Sequence, residues 1–289
     1  MRIQLLSDLH LERHPGFMPQ AASNVDVLVL AGDIGSYQAG TKLVSDDFGL
    51  SRFSPLRPEA AWPRVLFTPG NHEFDGLDFG DTYARLRQLC MTLGIEWLER
   101  EIITIGRVRF VGTTLWSDFD ALAKSEKTLT KQRRQREMAF RAANHYLSKN
   151  TTLSQGQPMM ADAIREMSLE CQAWLRNALS TPFDGTTVAV THFAPTLTSA
   201  DPRYGHQPGT AGFCNAMDDL LPFAQIWMHG HLHCPNNYTV RGMRDGREFA
   251  CHVVANPMGY LNKGEQKAFI EGFFVDARQS SEHFLAGQC

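Results

Sequence analysis

Cysteine is sparse and unpatterned in this chain: Cys90, Cys171, Cys214, Cys234, Cys251 and Cys289 are scattered through 289 residues without one CxxC pair. That spacing excludes a zinc ribbon and does not suit a disulfide framework, so reduced thiols are expected. Long apolar runs are missing too. No segment approaches the ~18 to 20 residues a membrane span requires, and the opening Met1-Arg2-Ile3-Gln4-Leu5-Leu6 reaches Asp8 without the apolar core and cleavage site of a signal peptide. The expected location is the cytoplasm, with no membrane partner. A dominant charge sign is also lacking. Lys plus Arg total 28 against 31 Asp plus Glu, a formal net charge of −3. No sequence-wide basic field draws the protein to nucleic acid, and any anion it binds must be met by a local site. There is no internal repeat, low-complexity stretch or Pro/Gly/Ser linker. With 43% hydrophobic and 20% charged residues, the composition excludes a disordered chain or a fibre and suits α/β architecture with a sizeable core.

What is present is a recurrence. Ile3 to Ser7, Val25 to Ala31, Val65 to Thr68, Val188 to Thr191 and Ile226 to Met228 are short apolar, β-branched runs that read as buried strands. Each stops at a polar cluster: Asp8-Leu9-His10, Gly32-Asp33, Gly70-Asn71-His72-Glu73, Thr191-His192 and Gly230-His231-Leu232-His233. In an open α/β sheet, ligands collect beyond the carboxyl ends of the strands, where side chains escape the sheet but stay rigidly held. Between the strands, Tyr83 to Leu93 has helical spacing ended by Gly94, and Ile102–Ile105 with Val108–Val111 forms a hairpin about Gly106-Arg107. From about 121 to 180 the texture changes. Two amphipathic stretches flank Gln155-Gly156-Gln157-Pro158: Met138, Ala139, Ala142, Ala143, Tyr146 and Leu147 stripe the first, and Ile164, Met167, Cys171, Trp174, Leu175 and Leu179 the second. The expectation is a single domain over 1–289 with a helical insertion near 121–180.

Asp8, Asp33, the Asn71 amide and the imidazoles of His10, His72, His192, His231 and His233 form a mixed oxygen and nitrogen donor set. It suits Mn, Fe, Zn, Co or Ni better than calcium or a thiolate cluster. The donors outnumber the four of one tetrahedral zinc, and a carboxylate can bridge two ions ~3.5–4 Å apart. Two cations therefore fit better than one. The Asp8/His10 and His231/His233 pairs each have the period-2 spacing that puts two side chains on one face.

In order and content these clusters resemble the calcineurin-like metallophosphoesterase superfamily, whose pattern is DxH, GD, GNH(E/D), H and GHxH, each after a strand. The likeness runs from Asp8 to His233, and Asn256-Pro257-Met258-Gly259-Tyr260 and Gly112-Thr113-Thr114-Leu115-Trp116 are similar to segments of bacterial members. Met258 stands where those members often carry a basic residue. The resemblance implies a four-layer α/β/β/α sandwich of two mixed sheets flanked by helices. It implies that Asp8, His10 and His233 hold one divalent transition-metal ion, Asn71, His192 and His231 a second, and that Asp33 bridges them, with Mn foremost. It places His72 with Asp33 and Asn71 at the reacting centre, His72 serving as the non-ligand proton donor. The implied reaction is hydrolysis of a phosphomonoester or phosphodiester by in-line attack of a metal-bridging hydroxide.

Other residues carry weaker signals. Arg203 and His206, in the turn-rich loop 201–209, are candidate substrate contacts, since Arg suits bidentate phosphate recognition; an ordinary surface loop is the equal alternative. Lys131-Gln132-Arg133-Arg134-Gln135-Arg136 reads first as a solvated helix face and second as a nucleic-acid contact. His14, His145 and His283 are expected on the surface, and His229 is expected to pack away from the site. His252 has two readings, a structural histidine or one that orients a ligand. The expected partner is a small phosphoester substrate. A nuclease and a metal-free binding scaffold of the same fold are the competing functions; the sequence leaves monoester against diester and the oligomeric state open.

Overall fold

The computed structural model describes residues 1–277; His283 and Cys289 lie outside the described residues. Its elements follow the apolar runs closely. One sheet contains β1 (Arg2–Leu6), β2 (Val27–Ala31), β3 (Val65–Thr68), β4 (Glu96–Trp97) and β13 (Phe274–Asp276) in the order β13-β1-β2-β3-β4. β1 to β4 are parallel neighbours, and β13 closes the edge antiparallel to β1. The second sheet contains β5 (Glu101–Ile105), β6 (Val108–Thr113), β9 (Thr186–Thr191), β10 (Ile226–His229), β11 (Asn236–Arg244) and β12 (Arg247–Ala255) in the order β11-β12-β10-β9-β6-β5. β6, β9, β10 and β12 run parallel, while β5 and β11 pair antiparallel at the edges.

Side-chain alternation builds two apolar layers from the same strands. Ile3, Leu5, Val27, Val29 and Leu66 of the first sheet meet Phe110, Val188, Val190, Ile226, Met228 and Val254 of the second in a fully buried inter-sheet core. The alternate residues face outward against helices: Leu28, Leu30 and Phe67 on one side, Val111, Ala189 and Trp227 on the other. α1 (Phe79–Leu93) connects β3 to β4 and buries Leu86 and Cys90. Asp78 caps it, accepting from the Gly80 N–H at 3.0 Å, and Gly94 ends it at φ 67°. α2 (Leu129–Leu147) and α3 (Ala161–Ser180) fill the connection from β6 to β9, joined through the two-residue strands β7 (Leu153–Ser154) and β8 (Gln157–Pro158). The result is two mixed sheets packed face to face and flanked by helices, as the resemblance implies.

Some local readings need correction. Ser7 and Val25 lie outside their strands, because Ser7 already bends toward the polar cluster and pairs with Pro257 as an isolated bridge. α3 buries Ile164, Cys171, Leu175 and Leu179 as expected. On α2 only Ala139 is fully buried and Tyr146 is 72% exposed, so its apolar stripe is narrower than the sequence pattern suggests.

Candidate metal centre

The five clusters converge just beyond the ends of β1, β2, β3, β9 and β10. Oxygen or nitrogen atoms of Asp8, His10, Asp33 and His233 lie within 4.8 Å of one another, and so do those of Asp33, His192 and His231. Asp33 belongs to both groups. His10 Nε2 and His233 Nε2 face each other at 2.9 Å, His192 Nε2 lies 3.2 Å from Asp33 Oδ2, and His233 Nε2 lies 3.5 Å from Asp8 Oδ1. Three buried atoms of these clusters, Asp33 Oδ2, Asn71 Oδ1 and His192 Nε2, have no hydrogen-bond partner. Buried polar atoms are ordinarily satisfied. Orphaned lone pairs beside opposed imidazole nitrogens are what a pair of coordinated cations would resolve, so the residues fit the expected metals.

The backbone is bent to achieve this convergence. Asp8 (φ 54°), His10 (46°), Asp33 (55°), His231 (69°) and His233 (48°) all adopt the left-handed conformation, which costs a non-glycine residue about 1–2 kcal/mol. Hydrogen bonds hold the turns: Asp8 N–H donates to Gly32 O at 3.0 Å, His10 N–H to Asp33 O at 3.1 Å, and His231 N–H to Asp8 Oδ1 at 2.9 Å. Where the two middle turns touch, neither can carry a side chain. A Cβ on Gly32 would lie 2.7 Å from Gly70 Cα, and one on Gly70 would lie 2.6 Å from Asp33 N.

Three of the imidazoles are oriented by a partner on the far nitrogen, an arrangement typical of metal-binding histidines, while His231 is held between the Phe193 and Phe213 rings. His10 Nδ1 meets Glu12 Oε1 at 3.2 Å, His192 Nδ1 donates to Ala31 O at 2.7 Å, and His233 Nδ1 bonds to Glu265 Oε2 at 2.7 Å. Glu73 is a clamp rather than a ligand. Its fully buried carboxylate accepts from the N–H groups of Ile34 (2.6 Å), Gly70 (2.7 Å) and Asp33 (3.1 Å), tying the second cluster to the third. Burial and the Asp33 charge push Glu73 up to about 7. His72 sits apart from the convergent donors, its Nε2 3.9 Å from Asp33 Oδ2 and its Nδ1 paired with Asp75.

Electrostatics in the cluster oppose desolvation. Burial alone would raise Asp33, yet the charges of His192 and His72 hold it well below the usual carboxylate range; burial likewise works against Asp8, which His233 holds down. Burial and the neighbouring His192 charge press His231 down to about 3. The centre therefore favours positive charge between its carboxylates.

Aromatic rings wall the site. Tyr260 stacks on His10 with ring centres 4.2 Å apart, Phe193 packs 3.9 Å from His231, and Phe213 stacks on His231 at 5.0 Å. Tyr260 gets there because Asn256–Tyr260 lies along the end of β1, with Met258 N–H donating to Ser7 O at 3.1 Å and Gly259 N–H to Asp8 O at 2.9 Å.

The remaining candidates fall elsewhere. Arg203 turns its guanidinium onto Asp201, donating from Nε to Oδ2 at 2.8 Å and from a terminal nitrogen to Oδ2 at 2.6 Å, and His206 is exposed on the same loop. His229 packs away from the cluster, its Nε2 3.0 Å from Ser199 Oγ. His252 bonds to Asn237 Oδ1 at 2.7 Å across the β11–β12 ribbon, in keeping with the structural alternative. His14 is half-buried rather than on the surface, because its backbone N–H donates to His10 O at 3.0 Å and folds it under the first cluster; His145 is exposed. In the basic run, Arg136 is paired with Asp120 at 2.5 Å, while Lys131, Arg133 and Arg134 are exposed. Sequence reasoning missed Glu12, Asp75, Glu265 and Phe213 as parts of the site. Glu12 and Asp75 had a local signal, two and three residues after a motif histidine; Glu265 and Phe213 had none.

Comparison with known proteins agrees with this geometry. A sequence profile of the family described as calcineurin-like phosphoesterase matches residues 1–235. The uncharacterized protein L509 of Acanthamoeba polyphaga mimivirus is 24% identical over 305 residues, covering 96% of this chain and 98% of its own length. The crystal structure of phosphopantetheinyl hydrolase (PptH) from Mycobacterium tuberculosis matches over 92% of each chain with a TM-score of 0.66 and 18% identity, a likeness of fold. No described helix is long and apolar enough to cross a membrane.

Proposed function

The chain belongs to the calcineurin-like phosphoesterase family, and from that membership we propose that it hydrolyses a phosphomonoester or phosphodiester using two divalent transition-metal ions, Mn foremost and Fe, Zn, Co or Ni as alternatives. The observation that carries this reading is the pair of donor groups sharing Asp33. On this reading Asp8, His10 and His233 would hold one ion and Asn71, His192 and His231 the other, with Asp33 available to both. When bound, the ions supply water activation near neutral pH and positive charge for the phosphoryl oxygens.

The protein's own groups do the rest. Glu12, Glu265 and the Ala31 carbonyl fix the imidazole orientations, so the ligand geometry is set before substrate arrives. Asp75 holds His72 by Nδ1 and leaves Nε2 directed toward the centre, from which it delivers a proton to the departing oxygen. The strained left-handed turns keep Asp8, Asp33 and the His231/His233 pair aimed at one point. The five described cysteines are free thiols, in keeping with work in the cytoplasm.

The test is metal content by plasma mass spectrometry together with Mn-dependent turnover of an aryl phosphomonoester and an aryl phosphodiester, with Asp33→Asn protein as the blank. A phosphopantetheinyl ester, the group named for the mycobacterial structure, belongs in the same screen. Wild-type protein is expected to bind two ions per chain and to lose turnover on chelation. Undiminished turnover by Asp33→Asn protein removes the two-metal reading.

A further inference from the structure

Substrate selection is built from what surrounds the centre. The polar partners of the convergent residues are carboxylates, imidazoles and backbone groups; among the described residues no lysine or arginine is hydrogen-bonded to any of them. Arg203, the candidate fork of the 201–209 loop, is paired with Asp201. The convergent residues themselves are thus held without a guanidinium or ammonium clamp among the described residues.

The rings are the remaining resource, and they are not equivalent. Tyr260 carries His10 stacked at 4.2 Å and also has the Lys263 ammonium 4.7 Å from its ring centre. Phe193 is buried behind His231. Phe213 stacks on His231 with an interplanar angle of 29°, has no other aromatic or cationic neighbour among the described residues, and is 45% exposed. Nor is it a loose surface ring. Its own N–H donates to Thr210 O at 3.0 Å, and the following residues pair with the segment after His192, Asn215 N–H donating to Ala194 O at 2.9 Å. A phenyl ring is thus fixed on a metal-site imidazole with part of its surface open to solvent.

We infer that Phe213 is a specificity-determining residue whose exposed surface receives a flat aromatic group, such as a nucleobase, carried by the ester. The inference rests on the phosphoesterase reading and deepens it. Stacking on such a platform is tolerant of the ring's identity and independent of charge, so it selects for an aromatic substituent and against a plain alkyl one.

The test compares thymidine 5′-(p-nitrophenyl phosphate) with methyl p-nitrophenyl phosphate, which share a leaving group and differ in the second ester. The ratio of their kcat/KM values is expected to fall about tenfold in Phe213→Ala, the factor that ~1.4 kcal/mol of stacking supplies, and to be retained in Phe213→Trp. Metal content, read in parallel, reports whether His231 still does its part. An unchanged ratio in Phe213→Ala overturns the inference and leaves the ring as a prop for His231. If wild-type protein turns over neither diester, calorimetric binding of thymidine 5′-monophosphate against inorganic phosphate to the Mn-loaded chain decides, and the phosphoesterase reading itself fails only if the aryl phosphomonoester is not turned over either. About tenfold tighter nucleotide binding that disappears in Phe213→Ala sustains the platform; equal affinities overturn it.

Discussion

Glu265 offers a sharp test of how the centre is held, because it is remote in sequence from every cluster that supplies a proposed ligand yet touches one of those ligands. Its Oε2 accepts from His233 Nδ1 at 2.7 Å and from the Tyr260 N–H at 2.8 Å. One atom therefore orients the imidazole and anchors the ring that stacks on His10. Burial works against the Glu265 charge, but the His233 and Tyr260 hydrogen bonds hold its carboxyl below the ordinary value, so the residue is an anion facing His233. Removing such a partner typically weakens metal binding about 10- to 100-fold, equivalent to about 1.4–2.8 kcal/mol. Glu265→Ala is expected at the upper end, since it removes both contacts, and Glu265→Gln at the lower end, since an amide oxygen can still accept while the charge is lost. Competition against a chromophoric chelator for Mn or Zn measures this directly. Only the ion proposed to be held by Asp8, His10 and His233 should weaken, giving a biphasic titration. Unaltered affinity for both ions in Glu265→Ala protein would refute the claim that orientation of His233 matters.

Two further outcomes probe the fold. Burial raises the Glu99 carboxyl above its ordinary 4.5 despite the Thr114 N–H and the Arg100 guanidinium 3.3 Å away. A raised native value gives a stabilising contribution that is complete below the unfolded pKa and lost as pH rises through the native one. The Tm of Glu99→Gln protein should therefore gain on wild type as pH rises from below 4.5 toward neutrality, and a difference that shrinks over that range contradicts the assignment. Phe110, fully buried between the sheets, should cost about 3–5 kcal/mol when truncated to alanine. Urea unfolding measures it, and a loss below about 1 kcal/mol would mean that the inter-sheet layer is not the principal core.

How much of this was legible in the sequence depended on range. The strands that carry the site were readable because both their faces are buried, which makes each a continuous apolar run such as Val27–Ala31. The β11–β12 ribbon was missed for the opposite reason. β11 alternates between half-buried and exposed residues, β12 is buried only toward its end, and the far end of the ribbon projects past the four-residue pairing with β10, so polar residues and Gly242 interrupt any apolar pattern. The donor residues were readable because each follows its strand within four residues. Glu265 reaches His233 from 32 positions away, and Phe213 reaches His231 through a bridge between Ala194 and Cys214. Contacts of that kind are set by tertiary closure and leave no local period. Arg203 shows the converse case: residue type suggests a phosphate fork, while the structure pairs its guanidinium with Asp201, two residues earlier.

The convergent residues are divided between the sheets. Asp8, His10, Asp33 and Asn71 follow strands of one sheet, and His192, His231 and His233 follow strands of the other. Neither sheet alone presents a full set of donors to either proposed ion. During folding, a cation can gain its complete coordination only after the two sheets have docked, so its binding energy is realised late on the pathway. Metal would then act less as a seed for folding than as a latch on the finished molecule, slowing the separation of the halves while leaving the rate of their first encounter nearly unchanged.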